Sequence, residues 1–467
     1  MEENAVMKYD YMARMSRACD MFVWGIDSGA TTIEELDIPA LLAKGTDYHA
    51  SLLPKVHPEL IVALLKPKNS QGIKTFSIAL RDYIEDLGRR IEQEQPLIGV
   101  FPTLPLELFY GLDVAALLPE LFSLVIAATY KTGVEEELDA SEIEGLPGHV
   151  CAFQKAPLMA FQKGLFPKPM MFVKTTAPCD SSNITMQYTA HQLGVPLYGI
   201  DSPYYSNRRA FKYFVDEIHR MIETIEKATG HTMDEDRLRQ RVEWTNAYMS
   251  NLYKLFELRK NRPIPDPGMH RLLDLAALMM GGCSENLPKY SEVTYNEALE
   301  RQQKGISFLP EGKKEIRTLW TGSMFPYALY LGDWVEDMYG STYAGCGLTN
   351  LPKDVLGVIN TSSVESMIEG LAWRTFNFPM HRTVMSHTDV YLNDMLTVAK
   401  EIGADAAIYA GNMGCKHSWT MPKLLSDAFG EELNIPTMTM EVDWVDGRFT
   451  PRDIVLSQLS EFFGTLA

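Results

Sequence analysis

The stretch AIYAGNMGCKHSWTMPKLL, residues 407–425, begins as an apolar run, breaks at a Gly-bounded turn and resumes with the spacing of a helix. Cys415 stands in that turn, between Gly414 and Lys416. A short and nearly continuous apolar run is typical of a buried parallel strand, and the loop after such a strand lies at the edge of the sheet where ligands bind. The stretch therefore predicts a strand, a loop and a helix that together present a cysteine at a ligand-binding edge.

An earlier part of the chain has the same order of features. Residues 172–204 run through an apolar strand, Cys179 in a turn, a helical segment, Gly-Val-Pro and a second strand, and the region around Cys415 ends in the same way after Asn-Ile-Pro. A weaker echo relates 98–113 to 318–333, each of which we interpret as a strand followed by a helix that begins at a proline. The echoes predict two similar doubly wound lobes, although coincidence between ordinary βα units is the alternative.

The remaining patterns divide the chain into four predicted domains. Residues 1–93 are expected to be mainly helical, 94–206 to form the first α/β lobe, 207–314 to be a helical linker, and 315–467 to form the second α/β lobe. The runs predicted as buried strands are 96–102, 121–128, 169–176, 195–201, 316–320, 405–410 and 435–443. The expected fold class is thus α/β, with two similar parallel-sheet lobes and a helical N-terminal extension.

Composition limits the classes of function. At 467 residues the chain is too long for one ordinary core, which favours two or three domains. The net charge of −18 argues against nucleic acid as a partner, because phosphate binding needs clustered Lys and Arg. The N-terminal sequence has no basic and apolar signal-peptide pattern, and no run reaches the roughly 18 apolar residues of a membrane span. We therefore expect a cytoplasmic protein that binds neither nucleic acid nor a membrane.

Six cysteines are too sparse for a disulfide scaffold. They are Cys19, Cys151, Cys179, Cys283, Cys346 and Cys415. None forms a CxxC pair, so the sequence supports neither a zinc ribbon nor a thioredoxin motif. Each cysteine on its own is well explained as a small buried apolar residue. Cys346, in AGCGL, is expected in a Gly-flanked turn and is a candidate surplus ligand.

Three of the cysteines are candidates for one metal site. Cys179 and Cys415 follow predicted strands, so they converge on one cleft if the two lobes face each other. Cys151 follows a Gly/Pro turn and precedes a helical run, where the positive end of the helix dipole favours a thiolate. Three thiolates from separate loops suit iron better than magnesium or calcium, and zinc is the competing metal.

Together these motifs resemble those of the 2-hydroxyacyl-CoA dehydratases and the related ATP-dependent benzoyl-CoA reductases. The resemblance extends from about residue 96 to 467 and leaves the first 90 or so residues unmatched. The motifs that carry it are the Cys151 loop, PLEL (105–108), APCDSSN (177–183), GVPLYGIDSPYY (194–205), EGLAWR (369–374), GNMGCKHSW (411–419) and NIPTMTMEVDW (434–444).

The resemblance implies one subunit of a heterodimer in which Cys151, Cys179 and Cys415 hold a [4Fe–4S] cluster. It implies an (R)-2-hydroxyacyl-CoA dehydratase that forms a 2-enoyl-CoA through a ketyl radical. The expected partners are a homologous second subunit, the acyl-CoA substrate, and a separate ATP-dependent iron–sulfur activator protein that supplies the electron. The chain itself has no GxxxxGK[ST] phosphate loop. The alternatives are a benzoyl-CoA-type reductase subunit, a non-catalytic iron–sulfur scaffold, and a metal-free flavodoxin-like binding protein.

Two further residues are candidates for catalysis. Glu107 falls on the family's Pro-x-Glu-Leu segment and is a candidate proton acceptor. Thr103 is a candidate hydrogen-bond donor to the substrate hydroxyl. The alternative is that PLEL simply opens a helix, in whose first turn the dipole favours Glu107.

Other charged residues near the motifs have two interpretations each. Lys416 and His417 are candidates for contacts with the phosphates of CoA, or are solvated charges near a turn. Arg374 is expected to pair with an Asp or Glu between the lobes. Asp201 and Asp443, at strand ends, are expected to cap turns rather than to act in catalysis.

Overall fold

Parallel strands form two four-stranded sheets in a computed structural model, which describes residues 5–30, 32, 35, 55–322, 326–349, 357–384 and 388–466. The strands are β1 (Leu97–Val100), β2 (Ala115–Leu117), β3 (Met171–Thr175), β4 (Leu197–Ile200), β5 (Ile316–Trp320), β6 (Ser341–Cys346), β7 (Ala406–Asn412) and β8 (Thr437–Val442). The strand orders are β2-β1-β3-β4 and β6-β5-β7-β8, and every pairing is parallel. The two sheets therefore have the same topology, which confirms the predicted pair of similar α/β lobes.

The burial of the central strands explains why they could be predicted from the sequence. All residues of β1, β3, β5 and β7 are buried, because helices cover both faces of a parallel sheet. Such strands appear in a sequence as continuous apolar runs. In each sheet the strand order reverses direction between the two central strands, and the crevice at such a reversal is where open α/β sheets bind ligands.

One strand prediction is wrong. Residues 121–128 lie within the helix Pro119–Thr129, which starts with a proline and with Glu120 in its first turn. Most of this helix is buried, so its apolar run shows no helical period and cannot be told from a strand by pattern alone.

The strands β2 and β6 were not predicted. β2 has three residues, which is too short to give a pattern. Cys346 is the last residue of β6 and not part of a turn, so that expectation is also wrong. After β5, where a helix beginning at a proline was expected, the described chain has the short 3-10 helix Pro326–Ala328, and residues 323–325 lie outside the described residues.

Helices form most of the remaining described chain. The N-terminal helices are Ala5–Lys8, Asp10–Asp27, Pro58–Leu65 and Pro67–Glu92, and those between the lobes are Arg208–Thr229, Glu235–Arg259, Met269–Met279 and Asn286–Lys304. Those around the sheets are Leu106–Gly111, Pro119–Thr129, Glu135–Ile143, Ala152–Gln162, Asp180–Leu193, Leu331–Tyr339, Val364–Phe376, Pro379–Val384, Thr388–Ile402, Lys416–Trp419, Pro422–Ala428 and Arg452–Gly464, with a π-helical turn at Phe429–Leu433. In the described ranges, no helix combines the length and the apolar character needed to cross a membrane.

Buried charges join the N-terminal helices to the second lobe. Lys68 at the start of helix Pro67–Glu92 lies 3.0 Å from Asp333 and 2.8 Å from Glu336, both of which are buried on helix Leu331–Tyr339. One hydrophobic core also contains residues from all four predicted domains. The division of the chain at residues 93, 206 and 314 stays a prediction.

Candidate active site

Loops from both sheets surround one cavity with a volume of about 360 Å³. These loops follow the carboxyl ends of β1 and β3 in the first lobe and of β5, β6, β7 and β8 in the second. The side chains that the loops contribute include Thr103, Cys179, Thr321, Leu348, Cys415 and Trp444. The two lobes therefore face each other across the position at which parallel sheets bind ligands.

The three candidate cysteines have the same local position. Cys151, Cys179 and Cys415 are each the residue immediately before the first turn of a helix, as the sequence predicted, and all three line the cavity. Cys151 is buried, and the other two are half-buried. Cys19, Cys283 and Cys346 are buried elsewhere and do not line this cavity. The thiol of Cys346 accepts a hydrogen bond from the backbone N–H of Leu348, at 3.3 Å.

A close contact between the lobes fixes two of the cysteine loops relative to each other. A Cβ atom on Gly414 would lie 2.4 Å from the Cα atom of Cys151, which is closer than a side chain permits. Glycine at position 414 therefore lets the Cys415 loop of the second lobe touch the Cys151 loop of the first.

Hydrogen-bond donors surround the sulfur atoms. The Asn412 amide donates to the Cys151 sulfur at 3.5 Å, and the Ser182 backbone N–H donates to the Cys179 sulfur at 3.3 Å. At Cys415, burial raises the pKa of the thiol, and the nearby backbone N–H groups of Ser418 and His417 oppose that rise. Such N–H donors are among the features that tune iron–sulfur clusters.

Burial controls the protonation of the cysteines. It raises the pKa of Cys179 to about 11, and it also raises the pKa of Cys151 and of Cys415. The helix-dipole effect suggested by the sequence is outweighed, so the free side chains are thiols at neutral pH. A metal cation would take the place of the proton, because a coordinating thiol is deprotonated outright.

The donor set fits a four-iron cluster. The described residues contain no group of three or more His, Cys, Asp or Glu side chains placed to hold a metal ion. In a cluster each thiolate binds a different iron, so the sulfur atoms surround the cluster instead of meeting at one point. Three cysteines from separate loops line one cavity, and N–H groups donate to the sulfur atoms of Cys151 and Cys179, which is the kind of donor set that this arrangement needs.

A buried lysine lies behind this part of the wall. The ammonium group of Lys174, on β3, donates to the Ser182 hydroxyl at 3.1 Å and contacts Asn183. Burial lowers its pKa to about 8, and the nearby Cys179 raises the pKa by a smaller amount. The first lobe thus places a cationic side chain close to one of the three thiols.

Thr103 and Glu107 occupy different positions. Thr103 lines the large cavity, and its hydroxyl lies 3.3 Å from that of Thr175. Glu107 lines only an adjoining cavity of about 30 Å³, which shares Thr103 with the large one. Glu107 lies in the first turn of helix Leu106–Gly111, as the alternative interpretation predicted, and accepts a hydrogen bond from Arg374 at 3.0 Å. The predicted pairing of Arg374 with an acid between the lobes is confirmed, whereas the catalytic roles stay predictions.

The other charged candidates lie near the rim or in turns. Lys416 is exposed, and the side chain of His417 is 41% exposed. Their contact with CoA phosphates stays a prediction. Asp443 caps a turn by accepting hydrogen bonds from two backbone N–H groups, as expected, whereas Asp201 accepts from the Tyr213 hydroxyl at 3.1 Å.

Several lining residues were missed by sequence reasoning. They are Phe153, Met279, Phe378, Met380, Tyr391 and Asn412. The apolar ones belong to segments far apart in the chain, where their spacing indicates only a buried core face. Asn412 had a usable signal, because it is a polar residue at the end of a buried strand and close to a candidate ligand.

Comparison with known proteins supports the motif resemblance. A family model described as the 2-hydroxyglutaryl-CoA dehydratase, D-component, matches residues 103–464. The match covers more than half of the chain and includes all the cysteines that line the cavity. No curated protein matches the chain. The chain belongs to the family of the 2-hydroxyglutaryl-CoA dehydratase D-component.

Proposed function

We propose that this chain is the iron–sulfur subunit of an (R)-2-hydroxyacyl-CoA dehydratase and that Cys151, Cys179 and Cys415 hold one [4Fe–4S] cluster. The observation that carries the proposal is that three cysteines from three separate loops line one cavity in a chain of this family. A cluster held there would supply one electron for the thioester carbonyl of the substrate and would take it back at the end of the cycle. The substrate passes through a ketyl radical, loses its C2 hydroxyl as hydroxide and loses a proton from C3. The products are a 2-enoyl-CoA and water.

In this proposal Thr103 orients the substrate. The Thr175 hydroxyl donates its hydrogen to the carbonyl of Ala177, so the Thr103 hydroxyl is the donor in the 3.3 Å contact between the two threonines. That contact is long for a hydroxyl pair. A rotation about one bond turns the Thr103 hydrogen toward a substrate hydroxyl in the cavity.

Glu107 is the proton acceptor in this proposal, and Arg374 is its positioning residue. The Arg374 guanidinium, 3.0 Å away, fixes the position of the Glu107 carboxylate, which is 1% exposed. The small cavity around Glu107 and the large one share Pro102, Thr103 and Phe378 as lining residues, and in this proposal the proton passes by Thr103 to Glu107. In the large cavity, the buried rings of Phe101, Phe153 and Phe378 limit the access of water.

The word component in the family description supports an assembly of more than one chain. We propose a homologous second subunit and a separate ATP-dependent iron–sulfur activator, all in the cytoplasm. The isolated chain is then inactive with substrate and a simple reductant. Turnover by the single chain without ATP would contradict this arrangement.

Counting electrons tests the reaction. The anaerobic complex of this chain, its partner and the activator is supplied with a 2-hydroxyacyl-CoA, ATP and a limiting amount of reductant. A dehydratase forms many molecules of 2-enoyl-CoA per electron, because the electron is recovered. A reductase forms product in proportion to the electrons consumed, and that result would overturn the proposal. Cys179→Ala should abolish turnover, whereas Cys283→Ala, a change at a buried cysteine outside the cavity, should not.

A further inference from the structure

We infer that this cavity takes 2-hydroxyacyl-CoA substrates whose acyl side chain is uncharged and apolar, either aliphatic or aromatic, in preference to a chain that ends in a carboxylate. The inference rests on the proposed function, because it names the substrate class of the same site. It differs from the substrate in the family's description, in which the acyl group is a hydroxyglutaryl.

The buried part of the wall contains four large apolar side chains, beside neutral polar ones such as Gln154 and Asn412. Phe101, Phe153, Met279 and Phe378 line the cavity, and each is at most 7% exposed. They come from four separate segments: the loop after β1, the first turn of helix Ala152–Gln162, the end of helix Met269–Met279, and the residues just before helix Pro379–Val384. Aromatic and Met side chains at such a wall favour apolar ligand groups, since each buried methylene adds to the affinity.

The cationic side chains that line the cavity lie at its exposed rim and not beside the buried apolar residues. Among the described residues that line this cavity, the groups able to carry positive charge are Lys416, His417 and His149. Lys416 and His149 are exposed, and the His417 side chain is 41% exposed. Positive charge at the rim suits the phosphates of CoA, which stay near water. A carboxylate carried inward to the buried rings would lose its hydration and meet no cationic side chain among the described residues that line the cavity there, which is costly.

Arg374 is the strongest rival for binding a substrate carboxylate. Its side chain is only 13% exposed, and its Nε and Nη2 atoms have no hydrogen-bond partner in the described chain. Its charge is already matched by Glu107 at 3.0 Å, however, and the cavity that Arg374 lines has a volume of about 30 Å³. A cavity of that size holds only about two or three water molecules, so the end of an acyl chain would have to displace all of them to reach Arg374.

A pair of CoA thioesters of the same shape tests the inference. Glutaryl-CoA and 5-methylhexanoyl-CoA differ in whether the chain ends in a carboxylate or in an isopropyl group, and neither has a hydroxyl to lose. Their dissociation constants are measured by calorimetry on the anaerobic complex of this chain and its partner. We expect 5-methylhexanoyl-CoA to bind at least about tenfold more tightly, because its end group gains from burial where a carboxylate loses hydration.

Two variants complete the test. Met380→Lys places a cation in the wall at a half-buried position and should reduce or reverse the preference. Met338→Lys makes the same change at a 50% exposed position outside the cavity and should leave it unchanged.

Equal or tighter binding of glutaryl-CoA to the unaltered complex would overturn the inference and leave the proposed function standing. Binding of neither thioester would overturn both. The comparison on the unaltered complex decides the question even if Met380→Lys does not fold.

Discussion

At the scale of single residues, the candidate site depends on the absence of a Cβ atom at Gly414. The loop that carries Cys415 touches the backbone at Cys151, because no Cβ atom separates them. Burial keeps the cysteines protonated as free groups, so the N–H donors around them matter chiefly once a metal has replaced the protons.

Gly414→Ala should therefore impair assembly of the metal site. The added methyl group would lie 2.4 Å from the Cys151 Cα atom, so one of the two loops must move. We expect the anaerobically purified variant to fold and to contain much less iron than the unaltered protein. Gly430→Ala is the matched control, since a Cβ atom there would meet no atom within 4 Å. Full iron content in Gly414→Ala would show that the contact is not needed.

Asn412→Leu should make the cluster harder to reduce. The change removes the amide that donates to the Cys151 sulfur at 3.5 Å, and such donors stabilise the more negative, reduced cluster. One hydrogen bond of about 1 kcal/mol corresponds to a fall of roughly 40 mV for a one-electron couple. A redox titration followed by electron paramagnetic resonance measures the shift. Asn251→Leu, on a helix away from the cavity, should leave the potential unchanged, and an equal shift in both variants would contradict the role of Asn412.

At the scale of elements, the sequence pattern predicted the buried central strands but not the shortest strand. β1, β3, β5 and β7 are buried on both faces and were predicted from their apolar runs. β2 gives no pattern, and the buried helix Pro119–Thr129 gave the pattern of a strand. Contacts between distant helices could be predicted only in part. The sequence indicated that Arg374 pairs with an Asp or Glu between the lobes, but it did not identify that residue as Glu107.

The ion pair between helices Leu106–Gly111 and Val364–Phe376 should contribute to stability. Arg374→Ala leaves the Glu107 carboxylate buried without its partner, at 1% side-chain exposure. We expect the free energy of unfolding to fall by about 3 kcal/mol in a urea titration. Arg89→Ala removes a partner of Asp86 at a 54% exposed position and should cost less than about 1 kcal/mol. An equal decrease in the free energy of unfolding in the two variants would mean that the buried ion pair contributes no more to stability than the exposed one.

The buried carboxyl of Glu120, in the first turn of helix Pro119–Thr129, should make stability depend on pH. Burial raises the pKa of Glu120 from its usual value near 4.5 to about 7. Between these values the folded protein keeps a proton that the unfolded chain has lost, so this contribution to stability falls as the pH rises from about 4.5 to about 7.

Glu120→Gln has no such proton to lose. Between pH 5 and pH 8, the free energy of unfolding should therefore decrease less in Glu120→Gln than in the unaltered protein, by up to about 3 kcal/mol. Thermal or urea unfolding at the two pH values measures the difference. Glu136→Gln, at an exposed position on the neighbouring helix, should follow the unaltered protein. The same pH dependence in Glu120→Gln and in the unaltered protein would contradict the account.

At the scale of the whole molecule, two sheets of the same strand order face each other across one cavity. The cysteines were predictable, because each follows a recognisable turn and precedes a helix. The apolar part of the cavity wall could not be predicted, because Phe153, Met279 and Phe378 come together only when helices distant in sequence pack against each other. Local pattern thus located the three candidate cysteines, and tertiary packing formed the cavity that they line.

The central claim is that Cys151, Cys179 and Cys415 jointly hold one cluster in that cavity. The most direct test is the iron content and Mössbauer spectrum of the anaerobically purified chain, compared with single Cys→Ala variants. The account predicts about four irons in one cluster per chain, loss of that cluster in each of the three variants, and its retention in Cys19→Ala. A colourless protein loaded with zinc, or full iron content in all three variants, would contradict it.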